Sequence, residues 1–172
     1  MEPAIKPAAE AFPGGRILVL ATPVTLSSEK FRALMAKYAS SAEIVPVPCP
    51  RLARMIESGI LKGEALEAYL AELIAPCGDR PVDGVVLGCT HYPFIRETIQ
   101  SVTGASRIFD GGPGTARETR HQLMIRGALS DADAPGTVEI GNSDPTAARL
   151  RFCERLLAEG TARCRARRAE YE

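Results

Sequence analysis

The chain has 172 residues, 45% of them hydrophobic, and its 21 basic and 21 acidic residues cancel. That length suits one ordinary domain, or one domain with part of another. Zero net charge leaves no electrostatic footprint for nucleic acid or an anionic membrane, and no run approaches the roughly 18 apolar residues of a membrane span.

MEPAIKPAAEAFPGG, at the start, lacks the apolar core of a signal peptide. Five cysteines without regular spacing do not form a disulfide framework, so a reducing cytoplasm is expected. RILVLA (16–21) reads as a buried strand. Phe31, Leu34, Met35 and Tyr38 then recur at helical spacing and predict an amphipathic helix. EIVPVP (43–48) is a second strand, which Pro46 and Pro48 push towards an edge. Leu52, Met55 and Ile56 predict a short helix ending near Gly59, and Leu66, Tyr69, Leu70 and Leu73 another, stopped around Pro76–Gly78.

DGVVLG (83–88) is apolar enough for the middle of a sheet. Pro93 suits a helix's first turn, with Ile95, Ile99 and Val102 as its buried stripe. RIFD (107–110) is a short fourth strand, followed by GGPGTA and a helix to about Gly127. TVEI (137–140) is expected as a last strand and 145–159, with Leu150, Phe152, Leu156 and Leu157, as a last helix. The basic cluster Arg163, Arg165, Arg167 and Arg168 reads as a frayed, solvated helical end. Strands alternating with helices predict an α/β three-layer sandwich with a parallel sheet, Rossmann- or flavodoxin-like. Ligands in such folds sit outside the carboxyl ends of the strands.

Three junctions at those ends carry polar chemistry. Thr22 and Thr25 read either as helix caps or as hydroxyls facing a ligand. Cys49 reads as a small buried residue, and Glu57, late in the next helix, as an exposed carboxylate or a supporting one. In GVVLGCTHYPF (84–94), Cys89 follows a strand directly and precedes a helix expected to start near Pro93. The positive end of that helix would favour a thiolate, and His91 could share its proton. An inert cysteine is the other reading. GGPGTA lacks the spacing of a P-loop or dinucleotide fingerprint and reads as a tight turn. With two histidines and no Cys-x-x-Cys, no metal site is expected.

GVVLGCTHYPF, together with ATPVTLSSEKF (21–31), CPRLARMIE (49–57) and DGGPGTA (110–116), resembles the cofactor-independent glutamate racemases. EPAIKPA resembles the hinge into that family's second domain. The resemblance implies two facing α/β domains with glutamate between them, each contributing one cysteine, and no cofactor. Cys89 then stands for the second-domain catalytic cysteine, His91 for a residue that assists proton transfer and contacts substrate, and Glu57 for the family's supporting carboxylate, with His91 and Glu57 both steadying Cys89. Thr90, Thr22 and Thr25 stand for substrate contacts. The implied product is D-glutamate for peptidoglycan.

The family's Asp-Ser-Gly and Cys-Asn-Thr-Ala segments do not occur in the chain. Residues 1–13 are therefore expected to be hinge, 14–111 the second domain, and 112–172 a segment that packs on a first domain. No other cysteine stands at a matching junction, so half an active site is expected, inactive alone. A truncated product, one half of a split enzyme and a fragmentary gene remain open. So do a first domain supplied separately, a glutamate-binding or dimerising remnant, and aspartate as substrate.

Overall fold

The computed structural model describes residues 1–131 and 136–169, with residues 163–169 as backbone alone. The elements run α1 (Glu2–Ala11), β1 (Arg16–Ala21), α2 (Pro23–Ser27), α3 (Glu29–Tyr38), β2 (Glu43–Pro48), α4 (Leu52–Glu57) and α5 (Glu64–Ile74). There follow β3 (Gly84–Leu87), α6 (Arg96–Thr103), β4 (Arg107–Asp110), α7 (Gly112–Ile125) and α8 (Ala147–Ala169). The four strands form one sheet in the order β2-β1-β3-β4, parallel throughout. β2 is an edge strand, as its two prolines require.

Strand alternation explains the three layers. On one face Leu18, Leu20, Val85, Leu87 and Ile108 pack with residues of α4, α5 and α6. On the other, Ile17, Val19, Val86 and Phe109 pack with α1 and with Phe31 of α3. Because successive side chains point to opposite faces, a strand covered on both sides must be apolar at every position. β1 and β3 are buried along their whole length.

Two expectations need correction, and one helix carries no periodic signal in the sequence. α1 forms within residues 1–13 and buries Ala4, Ile5, Ala8 and Ala9 against the sheet. Alanines at i, i+4 make a close-packing face without the large apolar residues that mark a stripe. TVEI is not a strand: residues 137–140 carry no ladder, and Val138 is 74% exposed. An extended segment becomes a strand only by pairing, and no strand pairs with it among the described residues. The helix expected at Pro93 begins later. Tyr92–Ile95 form a 3-10 turn, and Ile95 (φ −119°, ψ 24°) departs from helical geometry before α6 starts at Arg96.

The chain divides into two compact units, residues 1–129 and 130–172. The first holds the whole sheet and both apolar clusters. In the second, Asn142 and Asp144 order the entry to α8 through bonds to the Asp144 and Thr146 amides. The side chains of Arg163, Arg165, Arg167 and Arg168 lie outside the described residues. No described helix is long and apolar enough to cross a membrane.

Candidate active site

After β1 the chain passes to β2 on one side, and it later returns to β3 on the other. The carboxyl ends of β1 and β3 therefore meet where strand order reverses, the usual ligand crevice of an open α/β sheet. Thr22 follows β1 and Cys89 follows β3, so the sheet topology delivers both to this crevice. Gly88 makes the approach possible. Its amide extends the ladder to the Leu20 carbonyl at 2.8 Å, and a Cβ there would lie 2.8 Å from the Ala21 Cβ and 2.9 Å from the Leu20 oxygen.

Cys89 is half-buried, and its Sγ lies 3.5 Å from His91 Nδ1. The other ring nitrogen, His91 Nε2, lies 2.9 Å from Glu57 Oε1. Glu57 is the last residue of α4, whose Leu52 and Ile56 are fully buried and anchor that helix under the crevice. The geometry selects a tautomer. With the proton on Nε2 donated to Glu57, the Nδ1 lone pair is free to accept the Cys89 S–H. Transfer of that proton leaves a thiolate beside an imidazolium, with a carboxylate on the imidazolium's far side.

An imidazole, rather than the expected helix N-terminus, lies beside the sulfur. The amides of Tyr92 and Phe94, which would have formed a helix N-terminus near the sulfur, donate to the Cys89 and His91 carbonyls at 3.2 and 3.1 Å. The start of α6 lies beyond the 3-10 turn. The partner that faces the thiol is His91.

Thr22 and Thr25 are brought together differently. Thr22 caps α2, its Oγ1 accepting from the Thr25 amide at 3.3 Å, and the two hydroxyls lie 2.9 Å apart. Thr90 is exposed. Hydrogen bonds thus link Cys89, His91 and Glu57, whereas the threonines lie at the same sheet edge without joining that chain. GGPGTA forms a tight turn: the Gly112 amide donates to Asp110 Oδ1 at 2.9 Å as α7 begins, and Arg96 pairs with the other Asp110 oxygen.

Cys49 behaves as the small buried residue expected. Its Sγ donates to the Val47 carbonyl at 3.3 Å, and burial pushes the thiol up to about 12, with the neighbouring Cys89 adding in the same direction. Tyr92 was not singled out from the sequence. It is fully buried, and its hydroxyl donates to the Cys49 carbonyl at 3.4 Å. The available signal was an aromatic residue beside a proline in a strand-to-helix turn. Among the described residues, no group of three or more His, Cys, Asp or Glu side chains could hold a metal ion.

Comparison with known proteins shows the family and the fold. A glutamate racemase of Clostridium perfringens is 42% identical over 144 residues, covering 83% of this chain and 55% of the relative. One of Clostridium novyi is 44% identical over the same length, covering 83% and 56%. The structure of Escherichia coli glutamate racemase, in complex with L-glutamate and the activator UDP-MurNAc-Ala, superposes with a TM-score of 0.71 at 27% identity. That superposition covers 89% of this chain and 59% of the Escherichia coli protein. The chain thus spans about half the length of the curated relatives it matches. The family described as Asp/Glu/Hydantoin racemase matches residues 1–119, which contain the whole sheet and the Cys89–His91–Glu57 trio, and the chain belongs to that family.

Proposed function

We propose that the chain carries one half of a cofactor-independent glutamate racemase site, with Cys89 as the acid/base for one face of the substrate. The observation that carries this reading is the Cys89–His91–Glu57 line at the strand-order reversal. As thiolate, Cys89 takes the α-proton; the Cα–H bond breaks and its electron pair is delocalised into the carboxylate. As thiol, Cys89 returns a proton in the reverse direction. One group serves both directions because the thiolate that takes a proton is the conjugate base of the thiol that returns it. His91 exchanges the proton with sulfur, and Glu57 holds the ring in the tautomer that permits it. Thr22, Thr25 and Thr90 supply hydroxyls for the substrate's carboxylates and amine.

Inversion needs a second acid on the opposite face. In this proposal it comes from the family's first domain, whose motifs are not among these 172 residues. Residues 14–111 then act as the second domain and 112–172 as the segment that packs on the first, with α1 lying in the hinge region. The product would be D-glutamate, made in the cytoplasm for peptidoglycan.

The test is D/L-glutamate interconversion and solvent-deuterium incorporation at the α-carbon, with aspartate run in parallel. The chain alone is expected to be inactive. Adding a separately expressed first half should restore turnover, and Cys89→Ser should lower it by about 10²–10⁴-fold. Restored activity that is indifferent to Cys89→Ser would remove this sulfur from the chemistry, and preference for aspartate would change the substrate.

A second reading, a glutamate-binding or dimerising remnant, draws on α7. That helix buries none of its residues and exposes Leu123, Met124 and Ile125 by 39%, 51% and 60%. Tight glutamate binding by calorimetry without deuterium exchange, together with a dimer in sedimentation, would favour it.

A further inference from the structure

The trio is assembled from two separate pieces of chain. Cys89 and His91 ride on the turn after β3, whereas Glu57 ends α4, which follows β2. β1 lies between those two strands, so sheet pairing does not connect them directly. The His91–Glu57 bond is also a weak tether, because the two side chains are 32% and 54% exposed.

A buried connection does exist. The Tyr92 amide closes the Cys-Thr-His turn on the Cys89 carbonyl, and the Tyr92 hydroxyl crosses to the Cys49 carbonyl at the end of β2. From Cys49 the chain passes through Pro50 and Arg51 straight into α4, and the Arg51 amide donates to the Tyr69 hydroxyl at 3.1 Å. Two tyrosine hydroxyls therefore grip the Cys49–Arg51 link, Tyr92 from the cysteine turn and Tyr69 from α5. Burial keeps the Tyr92 hydroxyl protonated well beyond the ordinary phenol range, so it remains a donor. A buried phenol placed against a carbonyl also fixes its ring, since the alternative is an unpaired hydroxyl.

We propose that Tyr92 is a positioning residue: its bond to the Cys49 carbonyl sets the turn bearing Cys89 and His91 at the distance from α4 that lets His91 meet Glu57. This inference rests on the acid/base reading of Cys89. Around the turn, the titratable groups are Cys89, His91, Glu57 on α4, Cys49 after β2, and Tyr69 on α5.

The experiment follows iodoacetamide labelling of Cys89 by peptide mass spectrometry on the full chain, across about pH 6 to 9. Wild type, Tyr92→Phe and His91→Asn are compared. Tyr92→Phe keeps the ring and should keep cooperative melting. Its labelling profile should move from the wild-type curve towards that of His91→Asn, with a rate change of about fivefold near pH 7, the size of one lost neutral hydrogen bond. A Tyr92→Phe profile that overlays wild type while His91→Asn shifts it overturns the positioning role and leaves the racemase reading standing. Identical wild-type and His91→Asn profiles remove His91 from the relay, and the role of Tyr92 with it. If Tyr92→Phe does not fold, amide exchange on the wild type decides. The Tyr92 and Phe94 amides should exchange far more slowly than those of the loop 61–63, and equal rates overturn the inference.

Discussion

Two cysteines follow strands of one sheet, and their surroundings differ. Cys89 is half-buried and faces an imidazole nitrogen, whereas Cys49 is 1% exposed and faces a backbone carbonyl. Both are plain thiols in the sequence. The consequence for Cys49 is a pH dependence of stability. Burial raises its folded-state value from 9.0 to about 12, so the folded protein holds that proton more tightly than the unfolded chain does. Its contribution is complete below about pH 9 and is lost as pH rises towards 12. Melting temperature should therefore fall less steeply over that alkaline window in Cys49→Ala than in wild type. Parallel curves for the two proteins would show that the thiol does not titrate there.

Elements in this chain are joined at their starts as firmly as at their ends. Arg16, the first residue of β1, is 6% exposed and gathers the opposite edge of the sheet. Its guanidinium donates to the Cys77 carbonyl, to the Arg80 carbonyl at 3.0 Å and to Glu43 of β2 at 3.3 Å, while its amide donates to Asp83 at 2.7 Å. One side chain thus aligns β1 and β2 with the loop that leads into β3. Arg16→Met keeps an apolar stem but strands the two carbonyls, which predicts a loss of about 1–3 kcal/mol in urea unfolding. A loss within about 0.5 kcal/mol, the range of an ordinary surface substitution, would mean that water satisfies those carbonyls instead. The failed strand at 137–140 teaches the complementary point. Its β-branched residues have the right propensity, yet propensity without a neighbour to pair with leaves Val138 in solvent.

For the molecule as a whole, the two apolar clusters around the sheet, as far as residues are described, lie within residues 1–129, and 130–172 form their own compact unit. Residues 1–129 expressed alone should therefore retain a cooperative thermal transition and a far-ultraviolet spectrum of mixed helix and strand. Loss of cooperativity in that fragment would show that the sheet depends on the last 43 residues of the 172. The match to the family model ends at residue 119, within α7, so the same fragment contains the whole of that match.

The strands, the amphipathic helices and the sheet class were legible in the chain, because burial on both faces demands unbroken apolar runs such as ILVL and GVVL and leaves little room for another pattern. The Cys-Thr-His-Tyr-Pro motif likewise pointed to the family, and singled out Cys89 as the candidate sulfur. Local pattern did not reveal α1, whose alanines bury a face without advertising it, nor the 3-10 turn that moved the helix start away from Cys89. It could not reveal that Glu57, 34 positions before His91, meets the far side of its ring, or that Tyr92 reaches back 43 positions to Cys49. Those contacts exist only because strand order reverses between β1 and β3, bringing together residues that no local period relates. Which thiol is buried and which meets an imidazole was likewise decided by the folded chain.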